Sequence, residues 1–549
     1  MRRKRIIKIF SGILAGLVLL IFSFYLYFKL ATRVVEPEIR GMEGFSMERT
    51  ESGPGEYRCE HGWLRKAGEG WWEMYLEGSP YEIGYAHGLL TQELNREQEN
   101  AFLDRLAELI PSRFYQKFML GFTRFFNRNL EDYVKDEYRQ EIFGISRFAS
   151  PEFDFMGPAY ARMLNYHAAH DLGHAVQNMN LVACTAFGTW EGHSADSSLI
   201  LGRNFDFFVN EDFAKNKILC LVRPDSGYRF IMVTWAGFTG VVSGMNEKGL
   251  TVTLNAAKSS IPLGAKTPVS LLGREILQYA SNIREAFQIA QSRETFVAES
   301  FFIGSAADRK AVVIEKSPDH MSIYDPDTNY IIVTNHFQSA EFLDDPLNTE
   351  NKLNETSVYR YGRVEELLAE HPHTNPEIAA RILRDPKGLQ GKDIGLGNEK
   401  AVNQYIAHHS IIFQPGKNRL WIAGPPWQLG EFRGYDLDSV FNGSSSGAIS
   451  YFSAIPSMAI PADTAQLTTT FPDLQKFRSL ADKIESGHFN PGDADSLIRY
   501  NPEYFHTYRI LGDYFQERGE GQIAREYYRK ALEKEAPSAA ERESVVMKP

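Results

Sequence analysis

"LVACTAFGTWEGHSADSSLILGRNFDFF", residues 181–208, is the stretch on which the reading of the whole chain turns. It sets Cys184, one of only three cysteines, between an apolar run and Thr185. A polar turn follows, and then the compact string Gly202-Arg203-Asn204-Phe205-Asp206. The plain reading of Cys184 is a small apolar filler in a strand, because free cysteine is among the most buried residue types. The alternative is a reactive thiol, which needs partners elsewhere in the sequence.

Working outward, "SLILGRNFDFF", "KILCLVR", "YRFIMVTWAG" and "LTVTLNAA" are short β-branched or aromatic runs separated by turn residues, the pattern of strands. A second strand cluster covers "SFFIGSAADRKAVVIEKSPDHMSIYDPDTNYIIVTNHF". "SVYRYGRVEELLAEH" reads as a helix, and "HHSIIFQPGKNRLWIAG" as a late strand pair. Upstream, residues 101–148 repeat apolar residues at three-to-four spacing, as amphipathic helices do. Antiparallel strands interleaved with helices predict a layered α/β (α+β) domain without the regular alternation of a parallel sheet.

Composition narrows the function. The chain has 549 residues, 43% hydrophobic and 23% charged, which is ordinary for globular protein and leaves room for two or three domains. Its formal net charge is -11, and no long basic stripe lies beyond the N-terminus, which argues against a nucleic-acid partner. Three cysteines cannot form a disulfide framework; at most Cys59 and Cys220 pair and leave Cys184 free. "MRRKRIIK" is basic, and residues 9–28 run twenty residues without a charge, enough to cross a bilayer. Tyr25, Tyr27 and Phe28 at its far end resemble an interfacial belt, so an uncleaved anchor is expected rather than a shorter signal peptide. A basic leader keeps the N-terminus cytoplasmic and sends the rest of the chain across the membrane.

The expected organisation is a leader (1–8), a transmembrane anchor (9–28), a Pro- and Gly-bearing tether (29–62), and a largely helical segment (63–183). A core domain (184–460) and a helical tail (470–549) follow. In the tail, Tyr508, Leu511, Gly512, Phe515, Ala524, Tyr528 and Ala531 stand at the positions of a tetratricopeptide helix-turn-helix. One unit is too few for a stable array, so the tail is expected to pack on the main domain or on a protein partner.

The core carries a further pattern. "CTAFGTWEGHSADSSLILGRNFDFF" puts Arg203 19 and Asp206 22 residues after the cysteine. "GMNEKGLTVTLNAA", a hairpin ending in "VTNH", and the arginine-bearing "SVYRYGRVEELL" follow in order. Together these resemble the N-terminal-nucleophile hydrolases, in particular the penicillin acyltransferase family, with the choloylglycine hydrolases and penicillin V acylases as relatives. The resemblance spans residues 184–425. It implies a four-layer αββα core and an amide hydrolase or acyltransferase that cuts its own Ala183–Cys184 bond and uses no cofactor or metal. Its substrate would be a small N-acyl amide or acyl donor. Many relatives have glycine before the nucleophile where this chain has Ala183.

The chemistry fits those residue types. A thiol attacks an amide only as thiolate, and a free α-amino group titrates near neutrality, so an N-terminal cysteine carries its own base. The resemblance assigns Arg203 to the sulfur, Asp206 to the α-amine, and Asn335 and Asn255 to the oxyanion. Arg360, or Arg363 beside it, completes the polar shell. Two other readings stand beside this one. His167, His170 and His174 share one helical face and offer a zinc hydrolase site, although Asp171 points off that face. The chain would otherwise be a membrane-tethered scaffold whose tetratricopeptide-like tail recruits a partner and whose hydrolase domain is inactive.

Overall fold

Residues 2–41, 44–110, 112–169, 171, 183–207, 211–258, 260, 262, 264–442, 451–490 and 492–548 are described by the computed structural model of the chain. The strands, in chain order, are β1 (Thr50–Gly53), β2 (Glu56–Cys59), β3 (Gly62–Gly68), β4 (Trp71–Gly78), β5 (Thr185–Glu191) and β6 (Ser197–Phe205). They continue as β7 (Lys217–Pro224), β8 (Phe230–Thr234), β9 (Ser243–Asn246), β10 (Leu250–Ala256), β11 (Glu299–Ser305) and β12 (Lys310–Lys316). The last are β13 (Met321–Tyr324), β14 (Tyr330–Val333), β15 (His409–Gln414), β16 (Arg419–Ala423) and β17 (Phe432–Asp436).

Two sheets result among the described residues. One has the order β1-β2-β3-β4-β7-β8-β9-β10-β11-β12-β13, the other β14-β5-β6-β15-β16-β17. Among the described strands only β4 and β7 pair in parallel, with Trp71 opposite Lys217. The two-residue period of a strand distributes the side chains between layers. On β7, Ile218, Cys220 and Val222 pack toward helices Pro80–Leu90, Asp136–Ser146 and Val269–Tyr279. Leu219 and Leu221 point the other way and meet Leu199 and Leu201 of β6 between the sheets. Ile200 and Ile412, on the outer face of the second sheet, pack on Val364, Leu367 and Leu383 of helices Ser357–Glu370 and Pro376–Leu383. Three apolar clusters therefore separate helices, sheet, sheet and helices in that order.

Two expectations change at the N-terminal side. β1 and β2 lie within residues 29–62, read as a tether, and β3 and β4 open the segment read as largely helical. Glycine-punctuated aromatic runs gave no clear period there, and β4 finds its parallel partner only at β7, far along the chain. The helical reading of residues 101–148 holds, as Gln92–Leu109, Arg113–Phe126 and Asp136–Ser146. The first helix, Arg2–Ala31, is long and apolar enough over Lys8–Ala31 to cross a membrane, and its side chains there are exposed. An anchor and a signal sequence both have that character.

The tail is a run of helices, Thr470–Glu485, Asp493–Tyr500, Phe505–Glu517, Gly521–Leu532 and Ala539–Val546. Gly512 lets Tyr528 of the next helix approach its backbone, where any Cβ would collide with the ring. Phe471, Leu474, Phe477 and Leu511 share one cluster with Tyr405, Trp427 and Leu429 of the core domain. Asn501 adds a reciprocal pair, its Nδ2 donating to Leu396 O and its Oδ1 accepting from Leu396 N, both at 2.9 Å.

Candidate active site

Strand parity brings the sequence-derived residues to one place. Leu199, Leu201 and Arg203 share the inter-sheet face of β6, and register sets Arg203 beside Ala186 on β5 and Ile411 on β15. Cys184, two residues before Ala186, falls on the same face at the strand's start. On β10, Val252 and Leu254 face the helices, which leaves Asn255 facing the second sheet. Asn335 follows the end of β14, whose Val333 sits opposite Ala186.

Cys184 is fully buried, as are Arg203, Asp206 and Asn255. The Arg203 Nη2 donates to Cys184 Sγ at 3.5 Å and to Leu254 O, while Nη1 donates to Val242 O (2.7 Å) and Ser243 Oγ (2.6 Å). Its guanidinium also lies over the Phe205 ring at 4.5 Å. The arginine is thus fixed by backbone acceptors, with one edge left for the sulfur. Arg360 donates to Cys184 O (2.6 Å), Thr185 Oγ1 (2.8 Å) and Asn335 Oδ1 (2.6 Å). Arg363 points elsewhere, to Asp385 Oδ2 (2.8 Å) and Glu366 Oε2 (2.9 Å), so Arg360 is the arginine of the site.

The two asparagines differ. Asn335 Nδ2 donates to Ala256 O at 2.9 Å, which leaves an N–H over, and its backbone N–H is held by Ser357 Oγ at 2.7 Å. Asn255 Nδ2 lies 3.2 Å from both Val333 O and Thr334 O, so its two N–H groups are turned to the β14 end. That amide ties the strand end carrying Asn335 to the first sheet.

Burial dominates the electrostatics. It pushes the Cys184 thiol up to about 11, against the lowering effect of Arg203. It raises Asp206 to about 7, with Arg360 and Arg203 pulling the other way. Both Asp206 carboxyl oxygens lack a hydrogen-bond partner among the described residues, while its main-chain oxygen accepts from the N–H of Ala183 at 2.9 Å. A buried carboxylate without a partner is costly, so a cation beside it would be strongly favoured.

Sequence reasoning missed a second tier. Ser243 Oγ, bound to Arg203, lies 2.8 Å from His409 Nε2, and His409 Nδ1 lies 3.0 Å from His408 Nδ1. Burial lowers both imidazoles, His408 to about 3. The doublet before "SIIF" at the start of β15 was visible, yet its contact with Ser243 depends on how the sheets stack. An aromatic cavity of about 60 Å³ lies nearby, lined by Phe102, Tyr166, Phe207, Phe213, Trp235 and Phe238. Phe207 stacks on Phe205 at 5.5 Å, which joins this wall to the arginine.

The histidine helix is accounted for differently. His167 Nδ1 lies 2.8 Å from Met163 O, Nε2 accepts from Thr239 N–H at 3.0 Å, and the ring stacks on Phe238. Both nitrogens are occupied, so His167 is a structural residue; His170 and His174 lie outside the described residues. No group of three or more metal-ligating side chains occurs among the described residues. Cys59, Cys184 and Cys220 are all free thiols.

Residues 190–423 match the family model described as acyl-coenzyme A:6-aminopenicillanic acid acyl-transferase. The matched stretch contains Arg203, Asp206, Asn255, Asn335 and Arg360 and begins just after Cys184. An uncharacterized protein of Archaeoglobus fulgidus is 29% identical over 318 residues, covering 54% of this chain and 51% of its own. Protein dcd1B of Dictyostelium discoideum is 24% identical over 277 residues, covering 47% and 52%. The chain thus spans about half the length of these curated relatives. Among solved structures, the Caenorhabditis elegans ortholog of N-acylethanolamine-hydrolyzing acid amidase is 19% identical, with a TM-score of 0.31. That alignment covers 42% of this chain and 93% of the other.

Proposed function

We propose that this chain is a self-processing, membrane-anchored amide hydrolase or acyltransferase of the N-terminal-nucleophile type, with Cys184 as nucleophile. The observation that carries the reading is the partnerless Asp206 carboxylate buried beside the Ala183–Cys184 peptide. Cutting that peptide creates an α-ammonium group on Cys184, a hydrogen-bonding cation that the Asp206 carboxyl does not have among the described residues.

Processing follows from the same atoms. The Cys184 thiolate attacks the Ala183 carbonyl carbon; the C–N bond breaks, its nitrogen takes up a proton, and a thioester joins Ala183 to the sulfur. Water then hydrolyses the thioester, leaving the Ala183 carboxylate and restoring the thiol. In the mature enzyme the α-amine accepts the thiol proton, the sulfur attacks the substrate carbonyl, and the ammonium returns the proton to the leaving amine. Arg203 stabilises the thiolate. Asn335, with an N–H to spare, donates to the oxyanion, while Arg360 and Asn255 position it. The acyl-enzyme is released to water or to an acceptor amine. The aromatic cavity beside Phe207 suits an apolar acyl group.

The helix at residues 9–28 serves as the anchor, with the catalytic domain outside the cytoplasm. Its end is built into the fold rather than disposable: Phe28 stacks on Phe125, and Val35 N–H donates to Glu131 Oε1 at 2.9 Å. The tail, a tetratricopeptide-like unit, braces the core and offers its outer face to a partner.

The test is amine release from a panel of N-acyl amides with apolar acyl groups. Wild type should turn over, Cys184→Ser weakly, since a hydroxyl is the poorer nucleophile, and Cys184→Ala not at all. Retained activity in Cys184→Ala would overturn the assignment.

A further inference from the structure

Helix Arg113–Phe126 turns four of its aromatic residues, Phe114, Tyr115, Phe118 and Phe122, outward. Phe114, Phe118 and Phe122 are 82, 58 and 50% exposed, and four-residue spacing aligns them in one stripe. Tyr115 flanks the stripe, and exposed Arg113 and Lys117 edge its other side. At about 100° per residue, Phe114, Phe118, Phe122 and Tyr115 share an arc of roughly 100° that also contains Phe125. Contiguous aromatic surface of this kind marks an interaction site in a soluble protein.

Phe125 identifies what covers it. Its ring stacks on Phe28 at 6.2 Å and meets Tyr27 edge-on at 6.4 Å. Gly121, one turn earlier, comes close enough that an added Cβ would lie 3.8 Å from the Phe28 ring. Tyr27 and Phe28 close the apolar run that starts at Ile9. At about 1.5 Å per residue that run is roughly 30 Å long, the thickness of a hydrocarbon core. An anchor of this length puts its last aromatics at the lipid–water boundary, and a helix stacked on them lies at the same depth.

We propose that helix Arg113–Phe126 is a second membrane contact, lying in the interface of the leaflet from which the anchor emerges. Phe114, Phe118 and Phe122 enter the boundary between headgroups and acyl chains, and Arg113 and Lys117 meet the lipid phosphates. The occupant is the bilayer because the aromatic arc is continuous with the anchor's own surface. Two attachments fix the height and tilt of the catalytic domain against the membrane, which one flexible connection does not. The inference rests on the anchor reading given above.

Site-specific fluorescence on the full-length chain tests it. In a Cys59→Ser, Cys184→Ala background, where Cys220 stays buried, an environment-sensitive dye is attached at Phe118→Cys, Ile21→Cys or Val546→Cys. Each protein is reconstituted into phosphatidylcholine–phosphatidylglycerol vesicles containing a lipid spin-labelled near its headgroup. Dye at 118 should show blue-shifted emission quenched by the spin-labelled lipid, while dye at 546 shows neither. Dye at 21 in lipid with dye at 118 in water overturns the inference and leaves the anchor standing. Blue-shifted but unquenched emission at 118 also overturns it, in favour of a protein partner or second copy. Dye at 21 in water overturns the anchor reading itself and the inference with it.

Discussion

A carboxylic acid buried without a partner holds its proton, and at Asp206 that has a measurable consequence in the uncut chain. Its pKa there is about 7, above the ordinary 3.8, because burial outweighs Arg360 and Arg203. The folded chain therefore keeps a proton that the unfolded chain releases, and stability falls as pH rises through that window. Locked precursor, Cys184→Ala, should melt progressively lower between about pH 4 and 7, and Asp206→Asn in that background should flatten the slope. Thermal melts across the range decide it; an unchanged slope in the double variant would free Asp206 from this role. Asn335→Ala should still process but lose on the order of 10²–10³ in kcat, as removal of one oxyanion donor does. Steady-state kinetics with a preserved KM would separate that loss from a binding defect. The sequence pattern named Cys184, Arg203, Asp206, Asn255, Asn335 and Arg360, and the fold brings all six together. It put Arg360 first and kept Arg363 as the alternative; the partners Asp385 and Glu366, which turn Arg363 away, decide between them.

At the level of elements, legibility followed sequence distance. β6, β7, β10 and β15 were readable from local alternation, and so was the turn after β9, where Asn246 Oδ1 accepts from Lys248 and Leu250 N–H groups and Gly249 takes a φ of +70°. β1 to β4 were not, since their sheet position depends on a partner strand far along the chain. His408 and His409 were equally hidden, because only the stacking of one sheet on the other puts His409 on Ser243. The tail meets the core through a histidine that no motif announces. Burial and the Arg509 Nε, which lies 2.7 Å from Nδ1, both work against a charged ring, but Glu399 and Glu541 outweigh them and raise His506 to about 9. His506 Nε2 lies 3.5 Å from Glu399 in the core and 3.1 Å from Glu541 in the last helix. A folded pKa raised above 6.5 gives stability that is complete below that value and lost as pH rises through about 9. Hydrogen exchange in the helix Phe505–Glu517 should therefore speed up over that interval, and His506→Gln should remove the dependence. Deleting the tail after about residue 470 should uncover Tyr405, Trp427 and Leu429, lowering the melting temperature while self-cleavage persists.

For the whole molecule, one division is decisive. β4 pairs along β7, and the helices before Cys184 share an apolar cluster with β7, so a cut before Cys184 should not release the N-terminal piece. The uncut chain has a mass of 62.4 kDa, and a break before residue 184 leaves pieces of 183 and 366 of its 549 residues. Intact-mass spectrometry with N-terminal sequencing of purified protein tests this most directly. The account predicts two co-purifying chains of roughly 21 and 42 kDa, the larger beginning with a free Cys184, and a single uncut chain for Cys184→Ala. A folded wild-type protein that remains one 62.4 kDa chain, and whose Cys184→Ala form keeps full amidase activity, would contradict it.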